Sequence, residues 1–338
     1  MIYTILINSN STENIKNLQN SKMTLRISTI GGGSGQPPII IGLVKLFHDM
    51  DVDVNAVVGT WDSGGSSGKL RDLYGIMPPG DILKCIMAFV PPDYRNCANM
   101  LLRRFDATYP SVYNHNAGNL LLTSLQKEIS PLGAIRSLEK IVNAKGKVYP
   151  LTDCDTTLHA EMARVKAVIV DSETEITDRI KNNYKISKLW LEPETDKIPA
   201  LEILKKTDVL IVSPGSIFTS IIPHFTIKEV RDACKDIPIK IVFANFVERN
   251  MEAQEFIDAM KIWTRIEPTH AIFNSLPIDL DAYTKIGLNP MMIENDIDIS
   301  GVKCTSRPVV KKFRGLARHD PKRSAAAVFE ILSREKII

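Results

Sequence analysis

The chain alternates short apolar runs with longer amphipathic stretches, a rhythm that predicts strands separated by helices. Residues 25–30 (LRISTI) read as a buried strand and 42–47 (GLVKLF) as the body of the next helix. Between them lies Gly31-Gly32-Gly33-Ser34-Gly35, so the first unit is strand, glycine turn, helix. Residues 53–60 predict a second buried strand. The following stretch, 61–71 (WDSGGSSGKLR), is too rich in small polar residues to pack a core and predicts a loop. Apolar periodicity then predicts helices over 82–90, 94–105, 120–125 and 131–142 with no strand among them.

The second half restores the alternation. Strands are predicted over 165–170 and 188–191, around a charged loop with Glu173, Glu175 and Asp178, and a short helix over 199–206. A strand at 208–212 leads into Ser213-Pro214-Gly215-Ser216, and a helix or turn covers 217–225. A strand at 239–243 ends at Asn245; a helix at 252–263, a last strand at 270–274 and a closing helix at 321–333 complete the reading. The order predicts an α/β fold: a doubly wound, mostly parallel Rossmann-like sheet over 23–338, with a helical insertion at about 79–142. Residues 1–22, Asn/Ser-rich after a short apolar start, read as an N-terminal extension. In such sheets ligands bind beyond the carboxyl ends of the strands. The turns at 31–35, 60–67 and 213–216, together with Asn245, all fall there.

Composition narrows the classes. Of 338 residues, 44% are hydrophobic and 24% charged, enough for a substantial core. The net charge of +3 is too small to argue for nucleic acid, and the basic residues between 303 and 323 read as a solvated face. Five dispersed cysteines with no C-x-x-C pair suit a reducing cytoplasm and argue against a zinc site. No apolar run reaches the ~18–20 residues of a membrane span.

Each candidate residue carries two readings. The glycine turn fits neither common nucleotide fingerprint: Pro38 stands where a dinucleotide motif needs its last glycine, and the Lys-Ser/Thr of a P-loop is missing. Asp62 suits a ribose hydroxyl or a metal, or is a turn aspartate. Ser66, Ser67, Lys69 and Arg71 suit an anion, or a solvated loop. Asp81 reads as the N-cap of the helix behind it. His115 reads as a general base or phosphate ligand, or merely flanks a capping Asn114 or Asn116. No metal role falls to His159 or His224.

Taken in order, GGGSG (31–35), D-x-GGSSGKLR (62–71), PPGDI (78–82), HNAGNLLL (115–122) and SPGSIFTSIIP (213–223) resemble the YvcK/CofD-like family, from about Thr24 to Asp320. That family joins gluconeogenesis factors of the YvcK type to 2-phospho-L-lactate transferases, and GGSSGKLR, PPGDI and HNAGN look like the YvcK branch. The resemblance implies a cytoplasmic regulator of carbon partitioning toward the cell envelope, with no established reaction. Its ligand would be UDP-N-acetylglucosamine or a related UDP-sugar, or an NADP-like nucleotide. A protein partner in amino-sugar metabolism and a homo-oligomer are compatible with it; nucleic acid and membrane are not expected. Carried onto matching positions, Gly32, Gly33, Ser34 and Gly35 would approach the phosphates, with Pro214, Gly215, Ser216 and Thr219 on the opposite loop. Asp62, Gly64, Gly65 and Ser66 would line the same cleft, and His115, Asn116 and Asn119 would face it. Asn245 would close a strand end, and Tyr283 and Arg318 would stand on the nucleoside side.

The alternative is a phosphotransferase of the 2-phospho-L-lactate transferase type with a nucleotide-diphospho donor, in which Asp62 would be catalytic and Mg²⁺ a cofactor. Against it, the adjacent aspartate pair usual in the family is Asp62-Ser63 here, which weakens a Mg²⁺ site. Trp61 replaces a small residue, and Gln36-Pro37-Pro38 removes helix N–H donors beside the glycines. An NAD(P)-dependent oxidoreductase is a third, weaker reading, since the glycine fingerprint is broken.

Overall fold

The computed structural model describes residues 24–249, 251–277, 288–313 and 316–338. The chain opens with β1 (Leu25–Gly31), α1 (Gln36–Leu46) and β2 (Val52–Val58). Five helices follow before the next strand: α2 (Gly65–Tyr74), α3 (Pro79–Ala88), α4 (Arg95–Leu102), α5 (Ala117–Glu128) and α6 (Pro131–Ile141). Then come β3 (Lys147–Pro150), β4 (Thr157–Ala163), β5 (Ala167–Asp171), α7 (Glu173–Lys181), β6 (Lys185–Glu192), α8 (Ala200–Leu204) and β7 (Val209–Val212). After two short helical turns the chain continues through α9 (Lys228–Lys235), β8 (Ile239–Phe243), β9 (Val247–Glu248), α10 (Ala253–Thr264) and β10 (His270–Asn274). It closes with β11 (Asn289–Pro290), β12 (Ile297–Ile299), β13 (Val302–Arg307), β14 (Val310–Phe313), β15 (Leu316–His319) and α11 (Pro321–Arg334).

The central sheet runs β12-β13-β10-β8-β7-β1-β2-β3. Every pairing in it is parallel except β12 with β13. Its middle strands are apolar on both faces because helices cover both. In β7, Val209 and Ile211 join the core under α1, α3 and α11, while Leu210 and Val212 join the core on the other side. The doubly wound, mostly parallel α/β architecture is therefore the one expected.

Several elements differ from the pattern-based reading. The strands near 165–170 and 188–191 lie outside the central sheet: β5 and β6 flank β4 in a separate antiparallel sheet. The charged stretch between them is helix α7, not a loop. Ser172 caps it by accepting the Glu175 N–H, and acids in its first turn with bases in its last suit the helix dipole. Residues from Gly65 onward form α2, although so many small residues suggest a loop. The helix persists because Ser66, Ser67, Gly68 and Leu70 are buried, and a Cβ on Gly68 would lie 2.2 Å from the Ser63 carbonyl oxygen. The strand at 270–274 is not the last; β13 adds beside it in parallel.

One side chain ties the first turn to the sheet. Gln36 is fully buried, and its Nε2 donates to Thr29 Oγ1 (2.8 Å) on β1 and to the Val57 carbonyl (3.1 Å) on β2. Truncation would remove both buried bonds and leave a cavity. Gln36→Ala is accordingly expected to lose about 2–4 kcal/mol in denaturant unfolding. A loss within ~0.5 kcal/mol would show that the latch is dispensable.

Candidate functional site

The strand order reverses between β1 and β7. From β1 the chain builds outward through β2 and β3 on one side, then returns to β7 and builds through β8, β10 and β13 on the other. The two loops leaving these neighbours diverge, and a crevice opens at such a switch point. Its walls are set by glycines that cannot be larger. A Cβ on Gly35 would lie 1.7 Å from the Pro214 carbonyl oxygen, and one on Gly31 would lie 3.1 Å from Ser213 Cβ. A Cβ on Gly33 would lie 2.1 Å from Asp81 Oδ1 and 2.8 Å from Asp81 Cα. Ser34 stands exposed at the crest of this loop, while Gly215 and Ser216 are half-buried on the facing one. Helix α1 starts directly behind with Gly35 as N-cap and prolines in its first turn. Those prolines remove N–H donors that a helix start would otherwise offer.

Beside the glycines is a small enclosed pocket lined by Gly32, Gly59, Trp61, Asp62, Asp81, Glu173, Thr219 and Ser220. It leaves about 20 Å³ free, room for one water. Three carboxylates from three elements face it. Asp62 Oδ1 accepts the Gly64 N–H at 2.9 Å. Burial, then the charge of Asp81, lift the Asp62 carboxyl above its ordinary value against the hydrogen bonds from Gly64 and Ser67. Asp81 Oδ1 accepts from Lys84 Nζ at 3.0 Å. Burial opposes the Lys84 ammonium, but Asp81 outweighs it and raises its pKa. Glu173 is pushed up to about 7 by burial and by the charges of Asp62 and Asp81. Its helix is fastened to the Asp62 loop, where Thr174 N donates to Ser63 Oγ at 3.2 Å. Trp61 is buried rather than offered as an open face. Its Nε1 donates to the Thr219 carbonyl (2.8 Å), and its ring meets buried His224 edge-on at 4.7 Å. Burial lowers His224 to about 4, so it is neutral at pH 7.

A second group lies on the α2–α5 side. Ser66 Oγ is 2.8 Å from His115 Nδ1 and accepts from Asn119 Nδ2 at 3.0 Å. Asn116 caps α5, its Oδ1 accepting the Asn119 N–H at 2.7 Å. Asn116 and Asn119 are thus committed to protein partners, and Asn119 orients Ser66. Burial first, then the charges of Lys69 and Arg104, lower the His115 pKa.

The expected residues therefore fall into groups. Gly32, Gly33 and Gly35 meet Pro214 and Asp81; Gly32, Asp62 and Thr219 share the pocket; Gly64 and Gly65 form the turn into α2; Ser66, His115 and Asn119 form a hydrogen-bonded set. Asn245 sits on the loop after β8, where its Oδ1 accepts the Phe246 N–H. Arg318 is exposed on β15 opposite Lys311, and neither lines the pocket. Tyr283 lies outside the described residues. Asp81 is not the N-cap; Pro78 holds that position, and Asp81 is the third residue of α3, turned toward Gly33 and Lys84. Asp81 and Glu173 were thus missed as site residues. The membership of Asp81 in the PPGDI motif was the available signal. A far larger groove, about 1400 Å³, lies between the small sheet and the α9–α10 region, away from the glycine turns.

The raised Glu173 carboxyl sets a sign for stability. The folded chain holds its proton up to about pH 7, the unfolded chain only to about 4.5. Its contribution is therefore full below pH 4.5 and lost as pH rises through 7. Glu173→Gln should gain on the order of 2 kcal/mol relative to wild type between pH 5 and 8.5, read by melting across that range. An equal pH dependence in both proteins would refute this.

Comparison with known proteins places this geometry. Residues 27–298 match the family model described as 2-phospho-L-lactate transferase CofD. A putative gluconeogenesis factor of Aquifex aeolicus is 30% identical over 327 residues, covering 92% of this chain and 98% of its own. The gluconeogenesis factor of Listeria monocytogenes is 36% identical over 239 residues, 69% of this chain and 70% of its own. A crystal structure of a UPF0052 family protein from Bacillus halodurans superposes with a TM-score of 0.78 at 26% identity, covering 90% of this chain and 99% of that one. The chain belongs to the CofD/YvcK family, among the relatives named gluconeogenesis factors.

Proposed function

We propose that the crevice between the 31–35 and 213–216 loops binds a nucleoside diphosphate sugar of the UDP-N-acetylglucosamine kind, and that the protein acts as a ligand-sensing regulator of carbon flow toward the cell envelope. The observation that carries this reading is the apposition of two glycine-bearing loops at the switch point. The glycines let the two loops pack closely and leave little side-chain cover over their backbone, which suits phosphate oxygens. The acidic pocket next to it repels phosphate and favours hydroxyl donors. A ligand whose phosphates meet the loops while one hydroxyl of its sugar reaches the mouth of the pocket satisfies both. Asn245 and Arg318 would lie toward the nucleoside.

A specific observation also favours the transferase reading. The second carboxylate missing from the Asp62-Ser63 pair is supplied in space by Asp81 and Glu173. In that reading Asp62 would orient or deprotonate an acceptor hydroxyl. Among the described residues no three such side chains are spaced to hold a metal ion, so the fit to Mg²⁺ is poor and no step is assigned to it.

Calorimetric titration tests the leading reading. UDP-N-acetylglucosamine should bind with measurable heat, while N-acetylglucosamine alone should not; NADP and GDP serve as competitors. Gly35→Ala, which drives a methyl group into the Pro214 carbonyl, should weaken binding at least about tenfold, or ~1.4 kcal/mol. Absence of heat at millimolar UDP-sugar with folded protein contradicts the reading. GMP release from a guanosine-diphospho donor in the presence of a deazaflavin alcohol would favour the transferase instead.

A further inference from the structure

We propose that Ser66 is a nucleophile toward electrophilic phosphorus, with His115 as its general base. This goes beyond ligand binding and stands whether or not a UDP-sugar is the ligand. Ser66 is the second residue of α2, a ten-residue helix whose N-cap, Gly64, provides no side-chain cap. Two side chains on the α5 side converge on its hydroxyl: His115 Nδ1 at 2.8 Å and Asn119 Nδ2 at 3.0 Å. Asn119 can only donate from Nδ2. It therefore occupies a lone pair of Oγ and leaves the serine proton to point at His115 Nδ1. In the tautomer with Nε2 protonated, Nδ1 accepts the serine proton, and this is the form the proposed base requires.

The surroundings keep the base ready. His115 is partly open to solvent. Lys69 on α2 and Arg104 on the loop before α5 are the charges that bear on it, and both disfavour the imidazolium. The imidazole is therefore neutral at pH 7 and free to accept a proton, and the same two cations favour an anionic phosphorus ester nearby. Asn119 is almost fully buried, and its Oδ1 has no partner. Its amide is thus held for the bond to Ser66 rather than for a full set of its own.

The step conserves atoms and electrons. Oγ attacks phosphorus and the O–P bond forms as its proton moves to His115 Nδ1. The bond from phosphorus to the leaving group breaks, and the leaving group departs with the electron pair. With a diphosphate ester the leaving group is a phosphate monoester, which takes the proton from His115.

Diisopropyl fluorophosphate on the full-length protein tests this without assuming a physiological substrate. Oγ–P forms, P–F breaks, fluoride leaves and the proton passes through His115 to water. Peptide mass spectrometry should place the adduct on Ser66. Labelling should slow about a hundredfold in His115→Gln, and in wild type it should fall only below pH 6.5, the ordinary imidazole value that His115 lies beneath. Three results overturn the proposal: no adduct on Ser66 of the folded wild-type chain, labelling that is independent of pH, or an equal rate in a folded His115→Gln variant. The wild-type site assignment and pH profile decide the matter even if the variant fails to fold.

Discussion

The structure depends on a contact between two backbones. At the switch point the loop after β1 presses against the loop after β7 so closely that Gly35 has no space for a methyl group beside the Pro214 carbonyl. Parallel strands dictate that both loops emerge on the same edge of the sheet, and the reversed strand order makes them neighbours that part. Gln36, immediately behind, fixes the first loop to β1 and β2 from within the core. The helix that would usually supply phosphate donors begins with prolines here.

Electrostatics divides the crevice. Two carboxylates about 5 Å apart repel by ~3 kcal/mol at an effective dielectric near 20, so three cannot all be charged in a small enclosed pocket without a partner. Here Lys84 neutralises one, and Glu173 retains its proton to about pH 7. Such a pocket disfavours a further anion. The α2–α5 side differs: there Ser66 meets His115, and the charges that act on His115 are Lys69 and Arg104.

Much of this was legible in the sequence because local chemistry and global fold agree. Apolar runs at β1, β2, β7, β8 and β10 are buried on both faces and could hardly be anything but central parallel strands. The turns at 31–35 and 213–216 were readable because glycine and proline mark backbone that must bend or approach closely. What escaped has physical reasons. The small residues of α2 have poor helix propensity, and burial against neighbours overrides it. The acidic content of α7 suggested a solvated loop, although Ser172 and the first-turn glutamates are ordinary helix-start signals. Asp81 occupies a position where a first-turn acid is expected, which hid its contact with Gly33. Only the fold brings residues 33, 62, 81 and 173 together, so no spacing rule could have grouped them. The family resemblance assigns Asp62, Ser66 and His115 to one cleft; the structure puts Asp62 in the acidic pocket and joins Ser66 to His115 on the α2–α5 side.

The central claim is positional, and a crystal structure of the protein grown with UDP-N-acetylglucosamine measures it directly. The account predicts the diphosphate seated where the crevice opens beyond the Gly35–Pro214 contact, against the backbone of both loops, with the hexose hydroxyls turned to Asp62 and Asp81. Density for the ligand in the large groove beside α9 and α10, with the glycine crevice empty, would contradict it.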